Sequence, residues 1–323
     1  MKYSIIIPLY NKGPYVEKTI KSVLDQTFKD FELIVVDDGS NDNSFDIVSV
    51  AIQDCDNCRL IKQENAGASA ARNNGAAVSN GDYLCFLDAD DWWESTFLEE
   101  MLRLIEAYPD AGIYGVNYTI VNETKGKTRV ANIGVESDFK QGYINYCQVY
   151  AKTMYMPLCN GTICIPREVF HEVGGFPEGI TLGEDFLLWI KIALNYKVAF
   201  LNKPLAYYNQ DVEIANRGVG KLHDPKYHML WNLGLLGQKE ETDPDFKRLV
   251  DNLRTYGLLL YFLSKEYHEV AKKELDKVDW NKQDKKVRLQ YEGPLLWLRA
   301  QFILRLFWSN FKRKLIGFEK KDK

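Results

Sequence analysis

Three acidic clusters and one arginine are the residues in this chain best suited to chemistry. They are Asp37-Asp38, the run Asp88-Ala89-Asp90-Asp91, the pair Glu184-Asp185, and Arg72. If the strand before Asp88 continues through it, positions 88 and 90 face the same side, so two carboxylates aim into one pocket. Two hard oxygen ligands at a strand end suit Mg2+ or Mn2+ held jointly with substrate phosphates. Such a cation offsets charge that builds on a leaving diphosphate. The plain alternative for the same residues is a solvated Asp-rich turn. Asp38 can accept from a base N–H or a ribose hydroxyl, or it can simply cap a strand-to-helix turn. Arg72 can hold a pyrimidine edge or a phosphate, or be a surface helix charge. A carboxylate in the first turn of a helix, as Glu184 and Asp185 would be, sits at the positive end of the helix dipole. It can take a proton from a nearby hydroxyl, or it can be a helix-start acid with no catalytic task.

These residues need elements to position them, and the hydrophobic pattern supplies those elements. Residues 3–9 read as a buried strand ended by Pro8 and the polar Asn11-Lys12-Gly13. Residues 14–26 read as a helix, with Val16, Ile20, Val23 and Leu24 at spacings of three and four. Strands are expected at 31–36, 58–62 and 83–87, and helices at 43–53 and 67–79. Strands alternating with helices imply βαβ units and a mostly parallel sheet, whose ligands sit at the carboxyl ends of the strands. Both Asp clusters of the first hundred residues fall at such ends. Strand-like pieces follow at 112–121, 162–166 and 198–202, with a strong helix at 184–195. From about 221 onward the pattern is helical. The expected fold class is α/β, with boundaries at 1–110, 111–220 and 221–323.

Composition narrows the function. A chain of 323 residues with 46% hydrophobic and 27% charged residues can bury a sizeable core. A net charge of −4 argues against a nucleic-acid binder. Met1 to Pro8 is too short an apolar run for a signal peptide, and no stretch reaches the ~18 apolar residues of a spanning helix. Cys55-Asp56-Asn57-Cys58 is a lone CxxC without the second ligand pair that structural zinc needs, so free thiols in a reducing cytosol are expected. The four histidines, His171, His223, His228 and His268, read as ordinary surface or helix residues.

In order and spacing, these segments resemble family-2 glycosyltransferases of the GT-A fold. Ser4 to Asn11 and Ser22 to Thr27 are similar to that family's first strand and helix, and Glu32 to Ser40 to its second strand. Asn65-Ala66-Gly67, Ala71-Arg72-Asn73-Asn74-Gly75 and Leu87-Asp88-Ala89-Asp90-Asp91 complete the set. Each motif is weak singly, but five in order are specific. The resemblance implies a GT-A sheet flanked by helices and transfer of a sugar from a nucleotide-diphosphate donor, typically a UDP-sugar, with inversion. Asp38 would meet the nucleobase, with Pro8, Tyr10 and Asn65 in the nucleotide pocket. Arg72 would support base or phosphate, Asp88 the ribose or a metal-bound water, and Asp90 the Mn2+ or Mg2+ directly. Further on, Gly174 to Glu178 and Gly183 to Trp189 resemble the acceptor-side segment, which implies Asp185 as catalytic base with Glu184 as the alternative. Many relatives carry a His near Tyr208 to Asp211; here Asp211 stands about there.

Other readings fare worse. Only Gly13 stands where a nicotinamide enzyme needs G-x-G-x-x-G, and the Gly-rich first loop of a sugar-phosphate nucleotidyltransferase is also missing. A catalytically inactive nucleotide-sugar-binding or scaffold protein of the same fold is the serious alternative. Residues 294–323 carry a net +6, against −10 for the rest of the chain, and are rich in aromatics. A basic helix with an aromatic face suits an anionic membrane surface; a helix packed on the catalytic domain, or a dimer contact, suits the same residues. Membrane docking would fit a lipid-linked glycan acceptor and a cytoplasmic enzyme peripheral to the inner face.

Overall fold

The computed structural model describes residues 3–211, 222–237, 239–302 and 304. The chain divides between Leu249 and Val250 into two compact units. The first holds one large sheet with helices packed on it. Strands β1 (Tyr3–Leu9), β2 (Phe31–Asp37), β3 (Cys58–Lys62) and β4 (Tyr83–Phe86) pair in parallel in the order β3-β2-β1-β4. All of β2 is buried, and all of β1 except the half-buried Pro8. Strands covered on both faces read as unbroken apolar runs for that reason.

Beyond β4 the sheet becomes mixed. Its remaining path runs through β9 (Ile163–Pro166), β6 (Ala111–Asn122), β10 (Lys197–Asn209) and β5 (Trp92–Trp93). β9 is antiparallel to both neighbours, while β6 and β10 run parallel to each other. β7 (Lys127–Val130) and β8 (Gln141–Ile144) attach antiparallel to β6 and β10. The β6–β10 register slips on either side of Pro204. Proline has no N–H for a ladder, so a bulge there is expected.

Helices α1 (Gly13–Leu24), α2 (Ser44–Ala51) and α3 (Ala68–Ala77) lie close to their expected limits. A Cβ at Gly75 would come within 2.5 Å of Ile6 Cγ2. The bare glycine therefore lets α3 press onto β1, which brings Arg72 and Asn73 to the sheet. Helix α4 (Phe97–Ala107) is not among the expected elements. Its buried Phe97, Leu98, Met101, Leu104 and Ile105 form a helical stripe. Three more helices follow, α5 (Tyr146–Thr153), α6 (Arg167–Glu172) and α7 (Glu184–Ala193). Gly183 caps α7 at φ 84°, and Met229 leaves it no room for a Cβ. The 222–237 segment thereby fixes where α7 begins.

Helix α8 (Pro244–Gly257) carries the chain into the second unit, which is helical, as the sequence pattern implies, with α9 (Leu259–Leu263), α10 (His268–Leu275) and α11 (Lys285–Arg288). Two expectations are corrected. Cys55 and Cys58 form a disulfide; a turn in which Cys58 N–H donates to Cys55 O brings their Cα atoms to 5.4 Å. His228 is buried rather than a surface residue. Its Nδ1 accepts from Leu230 N–H, and burial, with His223 nearby, lowers its pKa to about 4.

Candidate active site

The carboxyl ends of β1, β2 and β4 open onto a cavity of about 770 Å³. Pro8, Tyr10, Asp38, Asn65, Arg72, Asp88 and Asp90 all line it, so the expected nucleotide and metal residues converge. Glu184 and Asp185 open α7 and do not line the cavity; Glu184 is tied to this group through Arg72, and Asp185 is its neighbour in the first turn.

Arg72 is neither a surface charge nor a free hand for a ligand. It is buried, with Nη2 2.7 Å from Asp88 Oδ1, Nη1 3.2 Å from Glu184 Oε1, and the guanidinium 5.1 Å from the Phe176 ring centroid. Burial alone would lower its pKa, but the Asp88 and Glu184 carboxylates outweigh that and keep it charged. Arg72 thus ties the acidic loop after β4 to the start of α7, across 112 residues of sequence. The side-chain amide of its neighbour Asn73 donates to Phe176 O through Nδ2 and accepts from Phe176 N–H at Oδ1, fixing the loop that precedes α7.

Asp38 has three protein partners. Oδ1 accepts from Gln63 Nε2 and Ala66 N–H, each at 2.8 Å, and Oδ2 from Gly67 N–H at 2.9 Å. A carboxylate offers about four acceptor positions, so a place remains for a ligand, but the group already holds loop 63–67 in shape. Asn65 Nδ2 adds a bond to the Asp38 carbonyl. Asp38→Ala would remove all three bonds to the carboxylate. The substitution should weaken nucleotide binding and also destabilise the protein by about 2–4 kcal/mol, since hydrogen bonds to a charged acceptor are the stronger kind. Calorimetric nucleotide titration and a denaturant melt check the two halves separately. Tyr10, by contrast, is 45% exposed, an aromatic surface open to the cavity.

The run 88–91 divides its work. Asp88 is held by Arg72 and lies 3.4–3.5 Å from Asn160 Nδ2. Asp90 Oδ2 meets Lys12 Nζ at 2.5 Å. Burial raises the Asp90 pKa, Lys12 opposes this, and Asp88 adds to the rise. Asp91 is buried; its Oδ1 accepts from Asn209 N–H and its carbonyl from Thr19 Oγ1. Burial, with Asp90 and Asp88 close by, pushes its pKa well up. Asp91 pins the end of β10, which brings Tyr208, Asn209 and Gln210 to the cavity wall. Asp211 turns away: its carboxylate accepts from Glu123 and Thr124 N–H groups and caps that turn. It does not stand in for a histidine ligand. Lys12, Asn160 and Tyr208 are site residues to which the sequence reading gave no role, and Asp91 entered it only as part of its run. The only signals for them were a lysine in the turn between β1 and α1, a third Asp in one run, and polar residues at element ends.

Asp185 is partly buried, with Oδ1 accepting from Phe186 N–H. Desolvation and the adjacent Glu184 push its pKa up to about 7, against the opposing pull of Arg72 and that N–H. A carboxyl with a pKa near neutrality is matched to general-base work. Among the described residues, no group of three or more His, Cys, Asp or Glu side chains could hold a metal by itself.

The model of glycosyl transferase family 2 matches residues 4–173. The chain belongs to glycosyl transferase family 2. Its curated relatives include an uncharacterized glycosyltransferase of Rickettsia felis, 34% identical over 206 residues, which are 64% of this chain and 32% of that protein. Streptococcus pneumoniae supplies two more. GlyA is 35% identical over 215 residues, 64% of this chain and 30% of GlyA. GlyG is 34% identical over 216 residues, 64% of this chain and 70% of GlyG. The chain spans about a third of the length of the first two. Among solved structures, S. aureus TarS 1–349 in complex with UDP-GlcNAc superposes with a TM-score of 0.71 at 20% identity, over 86% of this chain and 80% of that 1–349 chain. That likeness establishes the GT-A fold.

Proposed function

We propose that this family-2 member transfers a sugar from a nucleotide-diphosphate donor, a UDP-sugar, to a hydroxyl of a glycan or lipid-linked glycan, with inversion. The observation that carries the reading is one connected site. Asp38 and Tyr10 line the cavity beside Asp88 and Asp90, and Arg72 joins Asp88 to the helix that presents Asp185. The same fold in TarS accommodates UDP-GlcNAc.

In this reading the base lies against Tyr10 and the 63–67 loop, and the diphosphate lies toward Asp88 and Asp90. Those two carboxylates fit Mn2+ or Mg2+. Both face the cavity, and Asp90 already binds a cationic group, the Lys12 ammonium. The cation would complete its shell with donor phosphates and would stabilise charge on the departing diphosphate. Asp185 takes the proton of the acceptor hydroxyl. The resulting oxygen attacks the anomeric carbon from the face opposite the diphosphate, and the bond to the diphosphate breaks with its electron pair. Arg72 orients Glu184 and, through it, the first turn of α7.

A thermal-shift screen of nucleotide sugars with Mn2+ tests the donor class. One UDP-sugar should raise the melting temperature more than its GDP or CDP counterparts, and no shift with any donor would contradict the reading. The inactive-scaffold alternative predicts the same shift without turnover.

A lipid-linked acceptor is supported by the second unit. Leu296, Trp297 and Leu304 are exposed, whereas Leu298 is buried and Arg299 donates to the Leu263 and Ser264 carbonyls. Phe307 and Phe311, on the expected apolar face, lie outside the described residues. Among the described residues, no helix is long and apolar enough to cross a membrane. The full chain should co-sediment with anionic vesicles at low salt, less at high salt, and not with neutral ones. Equal behaviour with both vesicle types would remove the membrane from this proposal.

A further inference from the structure

Lys12 has a place in the site that the family motifs do not explain. It stands at the turn between β1 and α1, and that turn is fastened to the next one. Asn11 N–H donates to Ser40 Oγ at 3.1 Å, Asn11 Oδ1 accepts from Asn41 N–H at 2.8 Å, and Lys12 N–H donates to Ser44 Oγ at 2.8 Å. Asn11 takes a left-handed φ of 51° within this arrangement. The backbone is pinned, so freedom at Lys12 lies in its four-carbon side chain, which lines the same cavity as Asp88 and Asp90. Its ammonium rests 2.5 Å from Asp90 Oδ2, with the two side chains 23% and 14% exposed. The partner carboxylate Asp88 is neutralised differently, by the buried Arg72.

Two cations cannot share Asp90 cheaply. A divalent ion on that carboxylate would sit close to the ammonium, in a site where water screens poorly. We propose that Lys12 is a tethered counter-ion: it neutralises Asp90 in the empty protein and passes to a phosphate oxygen when a divalent cation and the donor diphosphate enter together. The proposal rests on Asp90 as the metal ligand. A cation arriving alone displaces the ammonium and leaves it without an anion. A cation arriving with the diphosphate gives both positive charges a partner. Metal and nucleotide affinities are then linked, reciprocally, and Lys12 supplies part of the linkage. Lys12 is a positioning residue in the empty protein and a phosphate ligand in the loaded one.

The test is a calorimetric titration of Mn2+ into the full chain, with and without saturating UDP, for wild type, Lys12→Gln and Lys12→Arg. Lys12→Gln should bind Mn2+ alone about tenfold more tightly than wild type, and the enhancement of Mn2+ affinity by UDP should shrink. Lys12→Arg, which can grip Asp90 with two N–H groups, should bind Mn2+ alone more weakly than wild type. It keeps the charge and so provides the comparison if Lys12→Gln does not fold. Unchanged Mn2+ affinity without UDP in the folded variants would overturn the exchange and leave a fixed ion pair. Absence of Mn2+ binding by wild type with UDP present would overturn the metal assignment at Asp90, and the exchange with it.

Discussion

Replacing Asp185 with Asn is expected to lower kcat by about two to four orders of magnitude, the range associated with a general base, while nucleotide affinity stays nearly intact. The same residue sets a pH profile. A base works ionised, so kcat/KM should rise with pH to a plateau above about 7, the value to which burial and Glu184 push Asp185. Stability runs the opposite way. The folded pKa lies above the ordinary value of 3.8, so the folded state binds this proton more tightly than the unfolded chain. The contribution is fully present below about pH 4 and is lost as pH rises toward 7. At pH 8 the Asn variant should therefore melt no lower than wild type, because it removes a disfavoured buried charge. Single-turnover rates and melts at two pH values check both statements. A greater loss from Glu184→Gln than from Asp185→Asn would transfer the base role to Glu184.

Asp90→Asn should nearly abolish transfer at any Mn2+ concentration. An amide is a poor ligand for a hard cation, and Lys12 would lose its anionic partner. The stability cost should be small, because burial already raises the Asp90 pKa and disfavours its charge. Turnover at saturating Mn2+ and a thermal melt of the same preparation separate lost function from lost fold. Wild-type turnover in the variant would remove Asp90 from the site.

Strands β1 and β2 were legible in the sequence because they are buried on both faces. The runs at 3–9 and 31–36 are apolar but for Ser4 and Glu32, without alternation, and the structure places β1 and β2 at Tyr3–Leu9 and Phe31–Asp37. Helix α4 escaped attention although its stripe is regular. The notable Asp run lies just upstream, and the neighbouring Trp92-Trp93 forms only a two-residue strand. The antiparallel insertion of β9 between β4 and β6 could not be read, since pairing partners far apart in sequence leave no local trace. Within the site, residue types were readable and partnerships were not. Arg72 suggested a ligand contact, yet its partners are Asp88 and Glu184. Asp38 could be read as a ligand acceptor or a cap, and which N–H groups reach it, three from loop 63–67, was not readable. Asp211 stood at a plausible ligand position and caps a turn instead. Composition argued for free thiols at Cys55 and Cys58, but one tight turn sets their distance.

The central claim, that one connected site binds a nucleotide sugar and activates it, is tested most directly by donor hydrolysis. Wild-type protein is incubated with individual UDP-sugars and Mn2+ without acceptor, and free UDP is measured over time. The account predicts slow release of UDP from one preferred donor, with water in place of the acceptor hydroxyl, and loss of that release in Asp90→Asn. Tight binding of the same donor with no release of UDP, with or without added glycan acceptors, would contradict it and favour a protein that binds nucleotide sugars without turning them over.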